Sequence, residues 1–392
     1  MATKKGVWNL QQVRDKQLQS LWSYSGLNEL WGWGAGTHGQ IGDNSEVHRS
    51  SPVQIPGSTW KNVSINGGTA DSRSFVTKTD GTLWTWGSNT NGELGLNNRT
   101  QYSSPVQVGS DTTWKQLSTT HSGSAGVKTD GTLWVWGTST VGALGLNQAA
   151  PVSYSSPVQL GSDTDWNYVC DGSVSRKAIK TDGTLWAWGH NSQGILGQNN
   201  TTKYSSPVQI PGTTWSTTVT NVSYTALAVK TDGTLWAWGQ NTQGQLGIND
   251  GNRRSSPTQI PGTDWATGRG KIAAGSNSSY AIRTDGTLWS WGYNGEGHLG
   301  LNSIAVLRYS SPVQVPGTSW DNVYSVDSWV LATRTDGTLW AWGYNGYGTI
   351  GQNQAPATIR AYSSPAQIPG SWNSPGSAIS CNQTRNLVIK AL

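Results

Sequence analysis

"KTDGTLWAWG", Lys180–Gly189, returns letter for letter at Lys230–Gly239. Such self-similarity at a fixed spacing marks a repeat architecture. The shorter core LWxWG has its first Trp at Trp31, Trp84, Trp134, Trp186, Trp236, Trp289 and Trp340, at intervals of 53, 50, 52, 50, 53 and 51 residues. A second marker, SSPVQ or a near variant, starts at Ser50, Ser103, Ser155, Ser205, Ser255, Ser310 and Ser363. A third is the Trp that follows: Trp60, Trp114, Trp166, Trp215, Trp265, Trp320 and Trp372. Three Trp in each of seven repeats account for 21 of the 24, leaving Trp8, Trp22 and Trp329 outside the pattern.

Within one repeat the chemistry is that of short strands. "AIKTDGTLWAWG" holds two β-prone runs joined by Asp182-Gly183, a pair suited to a tight hairpin because Gly takes positive φ freely. Side chains alternate along a strand, so Trp186 and Trp188 share a face and Ala187 takes the other. That intervening position is Gly32, Thr85, Val135, Ala187, Ala237, Ser290 and Ala341, and a small residue there lets a neighbouring sheet come close. The Pro of "YSSPVQI" lacks an amide hydrogen and predicts an edge strand or a strand end. About four strands per repeat cannot bury both faces of one sheet, whereas packed side by side they can. The first repeat begins "LNELWGWG" without the preceding strand, and the chain ends "NLVIKAL", which supplies one. This predicts an all-β, seven-bladed propeller in which residues 386–390 pair with residues 29–34 and close the ring.

Composition agrees. Charged residues are 12%, Gly numbers 50, and the aromatic content argues against disorder. The net charge is +5, of which the first 26 residues carry +3 (Lys4, Lys5, Arg14 and Lys16 against Asp15). The body has no long Lys or Arg run, which points away from nucleic acid as a partner. No stretch is long and apolar enough for membrane insertion, and "GVWNLQQVRDKQ" is too polar for the core of a signal peptide. Cys170 and Cys381 sit in no metal-binding spacing and read as free buried thiols.

"DGTLWAWGHNSQGILG" resembles the repeat of the regulator of chromosome condensation family, G-x-hydrophobic-aromatic-x-W-G-x-N-x-x-G-x-L-G, over residues 27–392. The resemblance implies a seven-bladed propeller. It is weak for function, because that fold hosts a nucleotide-exchange factor, a plant ultraviolet-B photoreceptor and a β-lactamase inhibitor. No repeat exceeds 53 residues, so the exchange factor's inserted wedge has no counterpart here, and the photoreceptor's GWRHT motifs are absent. Residues 1–26 lie outside the family pattern and resemble leader segments of virion and tail-fibre-like proteins of marine bacteriophages. There Asn9 and Gln12 suit a helix start. Trp8, Leu10, Val13, Leu18, Leu21 and Trp22 supply apolar side chains, most of them at helical spacing. That segment reads as an arm that docks into another chain, or as a helix folded back on its own disc.

Catalytic constellations are not found. The aspartates Asp80, Asp130, Asp182, Asp232, Asp285 and Asp336 occupy six like hairpins, and an active site rarely comes in six copies. The cations Lys78, Lys128, Lys180, Lys230, Arg283, Arg334 and Lys390 form another repeat position, expected on a solvated rim or against nearby carbonyls. His38, His48, His121, His190 and His298 show no metal-pair spacing. The glycine turns lack the GK[ST] ending of a phosphate loop, and no G-x-S-x-G elbow occurs. No cofactor is expected.

Binding is the better question. Where the repeats disagree, five residues before the basic position, stand Arg73, Trp329 and Arg385, with Arg176 and Tyr224 beside that position. Arg, Trp and Tyr are hot-spot residues, so this loop end is a candidate binding rim. Tyr102, Tyr154, Tyr204, Tyr309 and Tyr362 precede the Ser-Ser-Pro strands and read as packing residues. The tips Ile304–Leu307 and Ala355–Ile359 carry apolar residues in otherwise polar loops. The expectation is a non-enzymatic bacteriophage virion structural or host-attachment protein, made without a signal peptide, whose arm (1–26) tethers a propeller (27–392) to another virion protein. The alternatives are a soluble protein-binding propeller, inhibitor- or scaffold-like, and a glycan-binding host-attachment module.

Overall fold

The computed structural model describes residues 28–66, 72–119, 123–139, 141–148, 152–172, 174–222, 224–346, 348–352, 360–370, 372, 379–382 and 385–391. The expected N-terminal arm lies outside them. Among the described residues there are 28 strands in seven four-stranded antiparallel sheets and no helix. Blade I joins residues 379–391 to 28–55; blades II to VII run 60–107, 114–159, 166–210, 215–260, 272–314 and 320–368. First strands of successive blades touch around the ring, the last against the first, and line the central axis.

Blade IV shows how the repeat is used. Its strands are Trp166–Asp171, Ser175–Lys180, Leu185–Gly189 and Tyr204–Ile210, from the axis outward. The second and third are joined by the expected hairpin, in which Gly183 has φ 79°. Asp182 Oδ1 accepts hydrogen bonds from the Thr184 amide (2.9 Å) and hydroxyl (2.7 Å). Thr184 Oγ1 in turn accepts from Trp186 Nε1 at 3.0 Å. The Asp, Gly, second Thr and Trp of T-D-G-T-L-W thus each have a structural task, and the same relay recurs at Asp80, Asp130, Asp232, Asp285 and Asp336. Blade I, which lacks the motif, places the Glu29 carboxylate where the threonine hydroxyl would be, and Trp31 Nε1 donates to it at 3.0 Å.

The cation ring does something the sequence did not indicate. Lys128 Nζ lies 3.8 Å from the Trp134 ring centroid and 4.9 Å from that of Trp114. Lys78, Lys180, Lys230, Arg283 and Arg334 likewise cover the first LWxWG Trp and the third-marker Trp of their own blades. Antiparallel register is the reason: Trp114 opposes Lys128 across the ladder, and the hairpin brings Trp134 to the same cation. The expected carbonyl contacts are replaced by aromatic faces. Lys128 and Lys180 add ion pairs, to Asp111 at 2.6 Å and Asp163 at 2.7 Å.

The hairpin relay predicts an acid-sensitive fold. Hydrogen bonds from threonine amide and hydroxyl hold the six aspartates below the usual carboxylate range. Their contribution is full above the unfolded carboxylate pKa and is lost as pH falls through the folded value, so urea midpoints should drop below about pH 4. Thr132→Val, which breaks two of these hydrogen bonds at a buried hydroxyl, should cost about 1–2 kcal/mol in a urea melt at neutral pH.

Between blades the second LWxWG Trp is the staple. Trp188 Nε1 donates to the Ala143 carbonyl of blade III at 3.1 Å. The equivalents are Trp33 to Thr349, Trp86 to Gln40, Trp136 to Glu93, Trp238 to Ile195, Trp291 to Gln245 and Trp342 to His298. Each acceptor lies in the glycine turn of the preceding blade. Gly145 lies so close to Trp188 that a Cβ would stand 2.7 Å from its Nε1, and its φ is 78°. The Ser-Ser-Pro strand is the outer edge of each sheet, as its proline demands, with a register break beside it. Tyr102, Tyr154, Tyr204, Tyr309 and Tyr362 are half-buried against the interblade cores, as expected of packing residues.

Closure is broader than the single strand expected. Two strands, Ile379–Cys381 and Arg385–Ala391, complete blade I, with Asn28 to Gly34 opposing Ala391 to Arg385. The seam is reinforced by Ile65 N donating to Ser380 Oγ at 3.0 Å and Asn386 Nδ2 donating to Thr349 O at 2.9 Å.

Candidate functional site

The hairpins with TDG lie at one face of the disc, and the glycine turns and variable loops at the other. The predicted rim residues occupy this second face, but three of them point inward. Arg73 is buried and pairs with Glu93 at 3.5 Å. Arg176 is buried and grips both carboxylate oxygens of Asp171, which opposes it in the ladder. Its Nη1 also donates to Ala143 O at 3.1 Å, the carbonyl that takes the Trp188 staple. Trp329 is buried beside Trp33, Trp372 and Leu331 in the core between blades VII and I. A partner approaching the rim does not meet these three side chains, because each is buried within the disc. Tyr224 is 38% exposed, with its ring 6.1 Å from that of His190. Arg385 opens the last strand; its side chain, residues 355–359 and the arm residues Trp8, Leu10, Val13, Leu18, Leu21 and Trp22 lie outside what the structure describes.

The variable loops carry the apolar surface. Ile304, Val306 and Leu307 are 56, 46 and 60% exposed. Among the described residues only Val47 and Tyr224 are other exposed large hydrophobics, so three of five fall within four positions of one loop. The sequence signal for this loop, apolar residues in an otherwise polar tip, holds.

The central axis is an open channel that sequence reasoning missed. It has a volume of about 250 Å³ and is lined by Asn62, Gln116, Tyr168, Thr218, Arg269 and Tyr324, among others from every blade. The available signal was weak: "GRGK" at Gly268–Lys271 interrupts the inner-strand pattern, and Tyr168 and Tyr324 are larger than the serines and threonines nearby.

Burial shifts several titratable groups inside the disc. Burial pushes the thiols of Cys170 and Cys381 up to about 12, so both are protonated and poor nucleophiles. Burial lowers Lys177 to about 7, and its Nζ donates to Asn221 Oδ1 at 2.8 Å. Burial lowers His298 to about 4, which leaves a neutral imidazole. Among the described residues no group of three His, Cys, Asp or Glu side chains could hold a metal ion, and no helix is long and apolar enough to cross a membrane.

The comparisons with known proteins fit this architecture. The chain is similar to Prp20p from Saccharomyces cerevisiae, whose structure was described with its binding to Gsp1p and histones, at 18% identity and a TM-score of 0.79 over 94% of this chain and 92% of that one. Human WBSCR16 matches at 18% identity and a TM-score of 0.79, over 93% of this chain and 98% of that one. Yeast RCC1 (Prp20) bound to Kap60 matches at the same identity and score, over 94% and 90%. At such identities the likeness is one of fold. The model of the regulator of chromosome condensation (RCC1) repeat matches residues 28–68, 80–125, 182–224, 232–282 and 285–327, and a second model of that repeat matches 271–297. Those matches cover more than half of the chain, and each match to the first model runs from the third strand of one blade, or the hairpin before it, into the inner part of the next: the protein belongs to the regulator of chromosome condensation repeat family.

Proposed function

We propose that this protein is a non-enzymatic, protein-binding propeller that engages its partner through the loop face opposite the TDG hairpins. The observation that carries this reading is the exposed apolar tip Ile304, Val306 and Leu307, which holds three of the five exposed large hydrophobics among the described residues. Paired buried charges, protonated thiols and a neutral imidazole support a binding role. Structures of the same fold belong to proteins described as binding Gsp1p, histones and Kap60. The comparisons back this reading better than the virion one.

The test is affinity capture with the whole chain and with a variant carrying Ile304→Ser, Val306→Ser and Leu307→Ser. Loop substitutions at exposed positions should leave the melting temperature unchanged. Loss of an apolar hot spot should weaken a captured partner by about tenfold or more. Equal capture by both proteins would move the binding surface elsewhere on the disc and sink the assignment to this loop.

A further inference from the structure

Arg269 stands out in the axial channel. It belongs to "GRGK" at the start of blade VI, where Gly268 and Gly270 have φ of 115° and 77°. The segment is anchored on both sides. Gly268 N donates to Thr218 Oγ1 of blade V at 2.6 Å, and Val323 N of blade VII donates to Gly270 O at 2.7 Å. The bulge carries the Arg269 side chain past blade V, and its guanidinium sits 5.0 Å from the ring centroid of Tyr168 in blade IV. Its charge also acts on Tyr324 in blade VII. Tyr168 opposes Ile179, next to the hairpin residue Lys180, so the group lies toward the TDG mouth of the channel.

The charges around it are already matched. Asp171, the acidic lining residue, is held by Arg176, and Lys271 is held by Asp321 at 2.7 Å. Among the described residues Arg269 makes no ion pair and no hydrogen bond, and the Tyr168 hydroxyl makes no hydrogen bond. A guanidinium carries five donors in a planar fork that fits the oxygens of a carboxylate or phosphate. Held half-buried in a channel against an aromatic face, it is a cation set in place with its donors unused.

We propose that the axial channel binds an oxyanion, a phosphate or carboxylate group, on the Arg269 guanidinium with the Tyr168 hydroxyl as a second donor. The free oxyanion and the acidic side chain of an inserted peptide present the same chemistry. The site is independent of the apolar loop at the rim, so either assignment can fail alone.

The experiment is isothermal titration of the whole chain with inorganic phosphate and, separately, with a capped tetraglutamate peptide, at ionic strength matched by chloride. Arg269→Gln should weaken binding by about tenfold or more, since charge-assisted hydrogen bonds are lost. Arg269→Lys should fall between, keeping charge without the fork. Tyr168→Phe, which keeps the ring, should weaken binding a few-fold and serves if Arg269→Gln does not fold. Selenate soaked into crystals should give an anomalous peak within hydrogen-bond distance of Arg269. Binding of phosphate alone identifies a free oxyanion as the ligand, and binding of the peptide alone identifies an acidic chain. Absence of heat with both probes, or equal affinity in Arg269→Gln and the unaltered chain, overturns the proposal.

Discussion

Deleting residues 379–392 should abolish the cooperative unfolding transition. The deletion removes two of the four strands of blade I and every ladder contact of the strand Asn28–Gly34 on one side. It uncovers Leu30 and Ile55 and withdraws Ile379, Leu387, Val388 and Ile389 from the core. Full burial of such side chains contributes about 1.5–3 kcal/mol each, so four of them approach the ~5–15 kcal/mol net stability of a typical domain. A ring also differs from an open stack, because breaking one seam exposes two blade faces at once. The readout is near-ultraviolet circular dichroism, where packed Trp side chains report on blade contacts. The truncated chain should show a weak, non-cooperative signal, and a synthetic peptide of residues 379–392 should partly restore it. A truncated chain that melts cooperatively within a few degrees of the full one would show that the seam is dispensable.

Arg176→Ala should be the most damaging single substitution in blade IV. Arg176 and Asp171 are both buried, and the guanidinium meets both carboxylate oxygens. Burial pushes the Asp171 carboxyl up, and Arg176 opposes that shift. Removing the cation leaves an uncompensated carboxylate and a lost donor to Ala143 O, at a cost of about 3–5 kcal/mol. The sign of the pH dependence follows. Without Arg176 the folded state favours the protonated carboxyl, so the deficit should be smaller at about pH 5 than at about pH 8. Replacing both partners, Asp171→Asn with Arg176→Met, should recover much of the loss, since no buried charge remains. A single variant with a loss under about 1 kcal/mol, or a deficit that grows toward acid, contradicts this account.

The fold was legible because its determinants are local and repeated. Asp182-Gly183 specifies a hairpin from φ preferences alone, and alternation around Trp186 and Trp188 assigns the faces. Seven copies of each marker count the blades, and the unmatched strand at the chain end implies closure. The candidate site was much less legible. Arg73, Arg176 and Trp329 differ from their repeat neighbours, and that difference read as a signal for binding. In the structure they differ because each meets a particular buried neighbour, Arg73 against Glu93, Arg176 against Asp171 and Trp329 against Trp33. A departure from a repeat marks a local need, and packing creates such needs as readily as recognition does.

The sequence by itself determined the number of blades, the hairpins, the edge strands and the site of closure, since these follow from periodicity and from the backbone preferences of Gly, Pro and Asp. Only the tertiary structure decided which way the rim side chains point, that the repeated cations cover Trp faces, and that Arg269 meets Tyr168 two blades away. Those relations depend on how sheets curve around a common axis, which brings together residues whose separation along the chain carries no periodic signal.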